Sequence, residues 1–257
     1  MANQTNQLLH LDYNRNDYLA FVFFATLASY NFHWLLTPHS EPEKQRTAWT
    51  QKHKWLHILL LCTGLAGVCW WGIKFIQQWW QMGIAAGLTF LYSAPKIPHP
   101  LFSWLKKMAI GKTIFLAFVW TYVTAVLPVL LSTEKFGILA ILFCTSRFFL
   151  VYAVCIVFDY RDREVDRKQG IRSMITYFTE KGIGRLFFFS ICLFVTATTA
   201  CGYYGMPISI VAILLLPAVF LVYLYKKAKT DFSDYLYDFV IDGMMVLSSL
   251  FTPFIRI

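Results

Sequence analysis

The stretch GILAILFCTSRFFLVYAVCIVFDYRDREVDRK, residues 137–168, decides the fold. Its first part, Gly137 to Phe158, is almost continuously apolar and has about the 20 residues that a helix needs to span a bilayer. Its second part, Asp159 to Lys168, alternates acidic and basic side chains. The change predicts a membrane-spanning helix that ends in a charged segment at the bilayer surface.

The composition extends this prediction to the whole chain. Hydrophobic residues make up 58% of the sequence, aromatic residues 18% and charged residues 14%, whereas an average soluble domain is roughly 25% charged. We therefore expect an all-α polytopic membrane protein that forms a single domain over residues 1–257. Apolar stretches of near-spanning length predict eight helices, at about 18–36, 56–73, 77–94, 113–131, 137–158, 186–203, 207–225 and 236–254.

Along this set of helices, connections that are rich in lysine and arginine alternate with connections that are poor in them. Connections after the first, third, fifth and seventh spans each hold three or more of these residues, and those after the second, fourth and sixth hold at most one. The positive-inside rule then places both termini outside and residues 159–185 in the cytoplasm. The formal charge of +9 follows from this asymmetry and suits anionic lipid, so we do not predict nucleic-acid binding. A bacterial inner membrane is the expected location.

Three aspartates after the fifth span have a regular spacing. Asp159, Asp162 and Asp166 stand at i, i+3 and i+7, so on a helix their carboxylates project from one face. Oxygen ligands of this kind suit Mg²⁺ that is shared with a substrate phosphate. A second interpretation is a solvated charged segment between two spans, and the sequence leaves both open.

Several motifs together resemble the UbiA superfamily of intramembrane prenyltransferases. DYRDREVDRKQGIRS at residues 159–173 is similar to the second aspartate-rich motif of that family, and YSAPK at residues 92–96 resembles its Tyr-x-x-x-Lys element. Gly111-Lys112 at the start of the next helix and Ile241-Asp242-Gly243 in the last span agree with the family pattern.

The resemblance implies a helical bundle around a cytoplasm-facing cavity, in which Mg²⁺ holds a prenyl diphosphate. The prenyl group would pass to an aromatic or other lipophilic acceptor within the lipid bilayer. Carried over residue by residue, the metal ligands are Asp159, Asp162 and Asp166, and the catalytic residues are Asp162, Asp166 and Lys96. Substrate contacts are expected from Tyr92, Lys96, Arg163, Arg172 and Asn31.

The chain departs from the family at the first aspartate-rich motif. Residues 31–39 read NFHWLLTPH, so Phe32, Leu35 and His39 stand where that motif has aspartates. Asn31 keeps its place, and His33 adds an imidazole, which favours transition metals over Mg²⁺. One of the two carboxylate sets is therefore missing.

This loss keeps two other functions open. A catalytically impaired homologue would bind an isoprenoid lipid or a membrane partner, and a small transporter would use Arg147 and Asp242 as charges along a pathway. Asp234, Asp238 and Asp242, at i, i+4 and i+8, offer a replacement carboxylate set or a packing role. Prenyl chain length, acceptor identity and oligomeric state have no signature in the sequence.

Overall fold

The chain is helical throughout the part that the structure describes. The computed structural model describes residues 1–37, 49, 52–97, 99, 102, 111–133, 136–168 and 177–255, and for 162–168 the backbone alone. Helix accounts for 87% of these residues, and no strand occurs among them. The predicted all-α fold class is confirmed.

Nine main helices follow one another in the described ranges. They are α1 (Ala2–Leu8), α2 (Arg15–Leu35), α3 (Lys54–Gly72), α4 (Trp79–Ser93), α5 (Lys112–Leu131), α6 (Ile138–Lys168), α7 (Glu180–Tyr203), α8 (Ile208–Ala228) and α9 (Asp242–Phe251). Short 3₁₀ segments, Ile73–Gln78 and Ala94–Lys96, follow α3 and α4. A π-helical segment, Tyr235–Ile241, leads into α9.

Five helical runs among the described residues are long and apolar enough to cross a membrane. They are Lys54–Lys96, Lys112–Leu131, Ile138–Arg161, Glu180–Tyr203 and Ile208–Ala228. These runs are compatible with an integral, multi-pass membrane protein. The predicted number of eight spans stays a prediction.

The helices group into two compact units. Unit 1 contains Met1–Asp12 and Lys107–Ile257, and unit 2 contains Tyr13–Lys106. Unit 1 therefore holds α1 and α5–α9, whereas unit 2 holds α2–α4.

In unit 2 the chain reverses between α3 and α4. Lys74, just after α3, donates to Asp17 near the start of α2 at 2.9 Å, whereas His57 of α3 and Ser93 of α4 both contact the last turns of α2. A straight helix of 43 residues would be about 65 Å long and would not bring both its ends to one end of α2. The reversal lies in Ile73–Gln78, where Phe75 has non-helical dihedral angles of φ −112° and ψ 26°.

Two glycines let α2 and α3 approach closely. A Cβ at Gly64 would lie 2.7 Å from the backbone nitrogen of Ala28, and one at Gly67 would overlap the ring of Phe24. Glycine therefore lets the backbones approach at position 64 and leaves room for an aromatic ring at position 67.

In unit 1, α6 is the central helix. Its residues Leu150 to Val157 are all buried in the main apolar core, together with residues of α7, α8 and α9. This explains why the segment has no amphipathic pattern: a helix that is covered on all sides is apolar all round.

The short helix α1 is inserted into unit 1 through polar side chains. Thr5 Oγ1 donates to the carbonyl of Thr124 at 2.7 Å, a carbonyl whose normal helical donor would be the nitrogen of Pro128, which has no hydrogen. Gln4 Nε2 donates to Ser248 Oγ at 3.2 Å, and Gln7 Nε2 to the carbonyl of Thr252 at 3.0 Å. The N-terminal helix thus satisfies groups that helices α5 and α9 leave open.

Arg147 lies beside this contact in the interior of unit 1 and is only 1% exposed. Its two terminal nitrogens donate to Ser248 Oγ and Ser146 Oγ at 3.4 and 3.2 Å, and Ser146 in turn contacts Thr198 at 2.7 Å. The guanidinium also lies over the rings of Phe143 and Phe194. A buried chain of polar groups therefore joins α1, α9, α6 and α7.

Candidate functional site

The predicted aspartate motif lies on one uninterrupted helix. Helix α6 continues to Lys168, so positions 159, 162 and 166 belong to consecutive turns of the same element. Asp159 is half-buried, and its Oδ2 accepts a hydrogen bond from Thr113 Oγ1 at 2.6 Å. The side chains of Asp162, Arg163 and Asp166, and all of Arg172, lie outside the described residues.

Next to Asp159, an ion pair fixes the end of α6 to the entry of α9. Arg161 donates to Asp238 Oδ1 at 2.8 Å and has Asp234 at 3.8 Å. Its guanidinium lies 5.2 Å from the ring centroids of both Phe158 and Tyr237. Asp234 and Asp238 are thus partners of an arginine, and the π-helical segment replaces the regular α-helical spacing assumed for Asp234, Asp238 and Asp242.

A second contact fixes α6 to α8 at the same end. The hydroxyls of Tyr160 and Tyr225 are 3.0 Å apart, and Lys229 Nζ lies 4.5 Å from the Tyr225 ring centroid. Lys229 also contacts Glu180 at the start of α7 at 3.3 Å. The helix that carries the aspartates is therefore held from three sides.

In unit 2, the Tyr-x-x-x-Lys element meets the end of α2. The Tyr92 ring stacks on His33 with centroids 5.3 Å apart, and His33 Nδ1 is 3.2 Å from Ser93 Oγ. Lys96 Nζ donates to Thr37 Oγ1 at 2.7 Å, and the Thr37 hydroxyl donates to the His33 carbonyl at 3.0 Å. The structure thus brings together Tyr92 and Lys96, both predicted from sequence, with His33.

Asn31, two residues before His33 on α2, makes two polar contacts. Its Oδ1 lies 2.7 Å from His57 Nδ1, and its Nδ2 donates to the Leu27 carbonyl at 2.7 Å. Both side chains are buried. In this arrangement the amide oxygen of Asn31 orients a histidine.

Two of the three positions at which the resemblance predicts aspartates, Phe32 and Leu35, carry apolar side chains instead. Phe32 stacks on Phe90 with centroids 6.2 Å apart, and Phe90 meets Phe102 edge-on at 6.0 Å. Leu35 is half-buried, and His39 lies outside the described residues. Within residues 13–37 the only carboxylate is Asp17, which pairs with Lys74 at the opposite end of α2.

The two helix ends differ in the ligands that they offer. At the α6 end the Asp159 carboxylate accepts a hydrogen bond from Thr113, and Asp162 and Asp166 follow along the same helix. The chemistry of such carboxylate oxygens suits Mg²⁺. At the α2 end the described contacts involve an ammonium, an imidazole and hydroxyls. At neither end is a group of three His, Cys, Asp or Glu side chains arranged to hold a metal ion among the residues that the structure describes.

Two contributors, Thr113 and Thr37, were not predicted from the sequence, and neither was the pairing of Arg161 with Asp234 and Asp238. Thr37 stands four residues after His33, a spacing that allows a hydroxyl to reach the His33 carbonyl, but nothing local indicates that Lys96 would reach it. Comparison of the chain with protein-family models, with curated proteins and with solved structures gave no match.

Proposed function

We propose that the chain is a UbiA-like membrane prenyltransferase with eight spans, which works at the cytoplasmic face of a bacterial inner membrane. The observation that carries the proposal is the end of α6, where one aspartate is oriented by Thr113 and two more follow at helical spacing. The Tyr92/Lys96 element and its contact with α2 give further support.

In this proposal Asp159, Asp162 and Asp166 hold Mg²⁺, and Lys96, Arg163 and Arg172 contact the diphosphate, to which Tyr92 donates a hydrogen bond. When bound, the metal stabilises the negative charge that develops on the leaving diphosphate. Thr113 fixes the rotamer of Asp159 before substrate arrives. Arg161 contacts Asp238 at the entry of α9. Preorganised groups of this kind lower the barrier because they do not reorganise during the reaction.

The reaction breaks the bond between the prenyl C1 and the diphosphate oxygen, and the electron pair leaves with the diphosphate. The allylic cation is captured by the electron-rich acceptor, which then loses a proton. Aromatic ring faces stabilise such a cation, and the chain is rich in aromatic residues.

A specific observation favours a second candidate, a catalytically impaired homologue that binds an isoprenoid lipid or a membrane partner. Phe32, at a family aspartate position, stacks on Phe90 and so extends an apolar surface. A protein that only held a prenyl chain would need no metal at this end. For a transporter, Arg147 would be a pathway residue, but its contacts are with Ser146, Ser248 and two phenylalanine rings in the closed interior of unit 1.

The deciding experiment measures binding of geranylgeranyl diphosphate to the purified protein in nanodiscs, with Mg²⁺ and with EDTA. We expect Mg²⁺ to tighten binding of the wild type and Asp162→Asn/Asp166→Asn to remove that gain. Glu164→Gln is the control. It also removes a negative charge from the same helix, but position 164 lies outside the i, i+3, i+7 series. Binding that is indifferent to metal and to both aspartates would leave the non-catalytic homologue as the better function.

A further inference from the structure

Helix α1 is held in unit 1 largely by polar side chains. Three of its five buried residues are polar, and Gln4 and Thr5 are each only 1% exposed. Leu8 adds an apolar contact with the cluster that contains Cys144 and Cys201. The helix therefore depends on a few hydrogen bonds rather than on a wide apolar face.

The partners of these side chains are groups that water can also satisfy. Thr5 donates to the Thr124 carbonyl at 2.7 Å, and Gln4 donates to the Ser248 hydroxyl at 3.2 Å. A helix of seven residues is not stable alone in water, so docking and folding of α1 are coupled. If α1 leaves and water takes its place, the carbonyl and the hydroxyl still have hydrogen-bond partners.

The connection that follows α1 contains a strained residue. His10 is exposed and has φ 49°, and it is the only residue other than glycine with a positive φ in the described ranges. This left-handed conformation is costly for a residue that has a side chain. The next contact is an exposed one, from the Asp12 nitrogen to Ser132 Oγ at 3.1 Å. Undocking of α1 would release the strain at His10 and so offset part of the lost contacts.

The buried cation Arg147 lies beside the docked helix. Its guanidinium donates to Ser248, the same hydroxyl that accepts from Gln4. In the part of the chain that the structure describes, no carboxylate is within ion-pair distance of Arg147, and its Nε has no hydrogen-bond partner. A cation without a counter-charge is costly in an apolar interior. Contact with water or with an anion would reduce that cost.

We propose that α1 is a reversible plug of unit 1. When α1 is docked, it separates the polar groups around Arg147 from solvent. When it undocks, water and small anions enter and reach the guanidinium. This device belongs to unit 1 alone and does not depend on the proposed prenyl transfer.

Two native cysteines report the open state. Cys144 stands three residues before Arg147 on α6, and Cys201 stands three residues after Thr198 on α7, so each shares a helix face with a member of the buried polar chain. Both are buried while α1 is docked, and we refer to them as the reporter cysteines. Cys155, which is buried in the main core on the same helix α6, is the internal control.

The test measures how fast thiol reagents modify each cysteine. The purified full chain in phosphatidylcholine nanodiscs is treated with an anionic or a cationic methanethiosulfonate, and each site is quantified by mass spectrometry. We expect the reporter cysteines to react faster than Cys155. At low salt the anionic reagent should modify them about tenfold faster than the cationic one, because the charge of Arg147 attracts it. High salt should reduce this difference.

Thr5→Val should shift the plug towards its open state. The substitution leaves the Thr124 carbonyl without its donor only while α1 is docked, so the reporter cysteines should react about tenfold faster and Cys155 at an unchanged rate. Thr199→Val is the matched control, because its hydroxyl bonds to carbonyls of its own helix α7. It should leave all three rates as in the wild type.

Arg147→Gln removes the charge and should abolish the preference for the anionic reagent. Arg147→Lys keeps the charge and should keep the preference, which separates the effect of charge from that of misfolding. The plug is overturned if the reporter cysteines of the wild type react no faster than Cys155. It is also overturned if Thr5→Val accelerates all three cysteines alike, since unit 1 would then open as a whole. Equal rates of the two reagents in the wild type would overturn the entry of anions.

Discussion

The carboxyl ends of α2 and α6 both combine polar side chains with an apolar helix, and they are built differently. At the end of α6, Asp159 is oriented by Thr113, and the helix is fixed to α8 and α9 by Tyr225 and Asp238. At the end of α2, an ammonium, an imidazole and hydroxyls meet beside a stack of phenylalanines. The described contacts at the α6 end thus involve carboxylates, whereas those at the α2 end involve nitrogen and hydroxyl groups.

The largest expected effect comes from metal removal, which should act on the α6 end and leave the contacts at the α2 end unchanged. EDTA should lower prenyl transfer by about 10³-fold or more, since it removes the main stabilisation of the leaving diphosphate. The measurement is product formation on one nanodisc preparation, with Mg²⁺ restored as the control. A transfer rate that is unchanged in EDTA would contradict the metal site at α6.

Asn31→Leu should reduce stability with little effect on ligand affinity. The substitution leaves the buried Nδ1–H of His57 without its acceptor, which costs about 1–3 kcal/mol of the free energy of unfolding. The measurement is the midpoint of detergent-induced unfolding, and Thr26→Val on the same helix is the control. An affinity for prenyl diphosphate that falls more than about tenfold at full folding would show instead that Asn31 contacts the substrate.

Thr113→Val tests how far the proposed metal site at the α6 end depends on the hydrogen bond from Thr113 to Asp159. The hydroxyl donates to Asp159 at 2.6 Å, and loss of a group that orients a metal ligand should weaken Mg²⁺ binding about threefold to tenfold. Thr121→Val is the matched control, since its buried hydroxyl bonds only within its own helix, to the Ala117 carbonyl. Equal Mg²⁺ affinity in both variants would mean that Asp159 is positioned by other contacts.

Helix positions follow from the sequence because an apolar run of spanning length has few alternatives to a membrane helix. Residues 113–131 and 207–225, for example, differ from α5 and α8 by at most a few positions. The spacing of Asp159, Asp162 and Asp166 depends on local helix geometry alone, so the sequence also predicts that they share one helix face. The continuous helix to Lys168 agrees with it.

Long-range polar contacts were not predictable, because a hydroxyl or an amide gives no sign of its distant partner. Thr5 satisfies a carbonyl that Pro128 leaves open, 119 residues away in sequence. Asn31 contacts His57 where α3 packs against α2. Lys96 reaches Thr37 only because the chain reverses at Phe75, between α3 and α4, and brings α4 back to the same end of α2. The chemistry of the α2 end depends on that reversal.

The smallest expected effect concerns the outermost support of the α6 end, the contact between Glu180 and Lys229. The two charged groups are 3.3 Å apart, but the Glu180 side chain is 61% exposed, and exposed pairs contribute about 0–1 kcal/mol. Glu180→Gln should therefore change the unfolding midpoint very little. Asp238→Asn, which weakens the more buried 2.8 Å contact with Arg161, should destabilise the protein clearly more. If the two variants are equally destabilised, the support of α6 comes from charge at the membrane surface in general, and the distinction drawn between its individual partners is wrong.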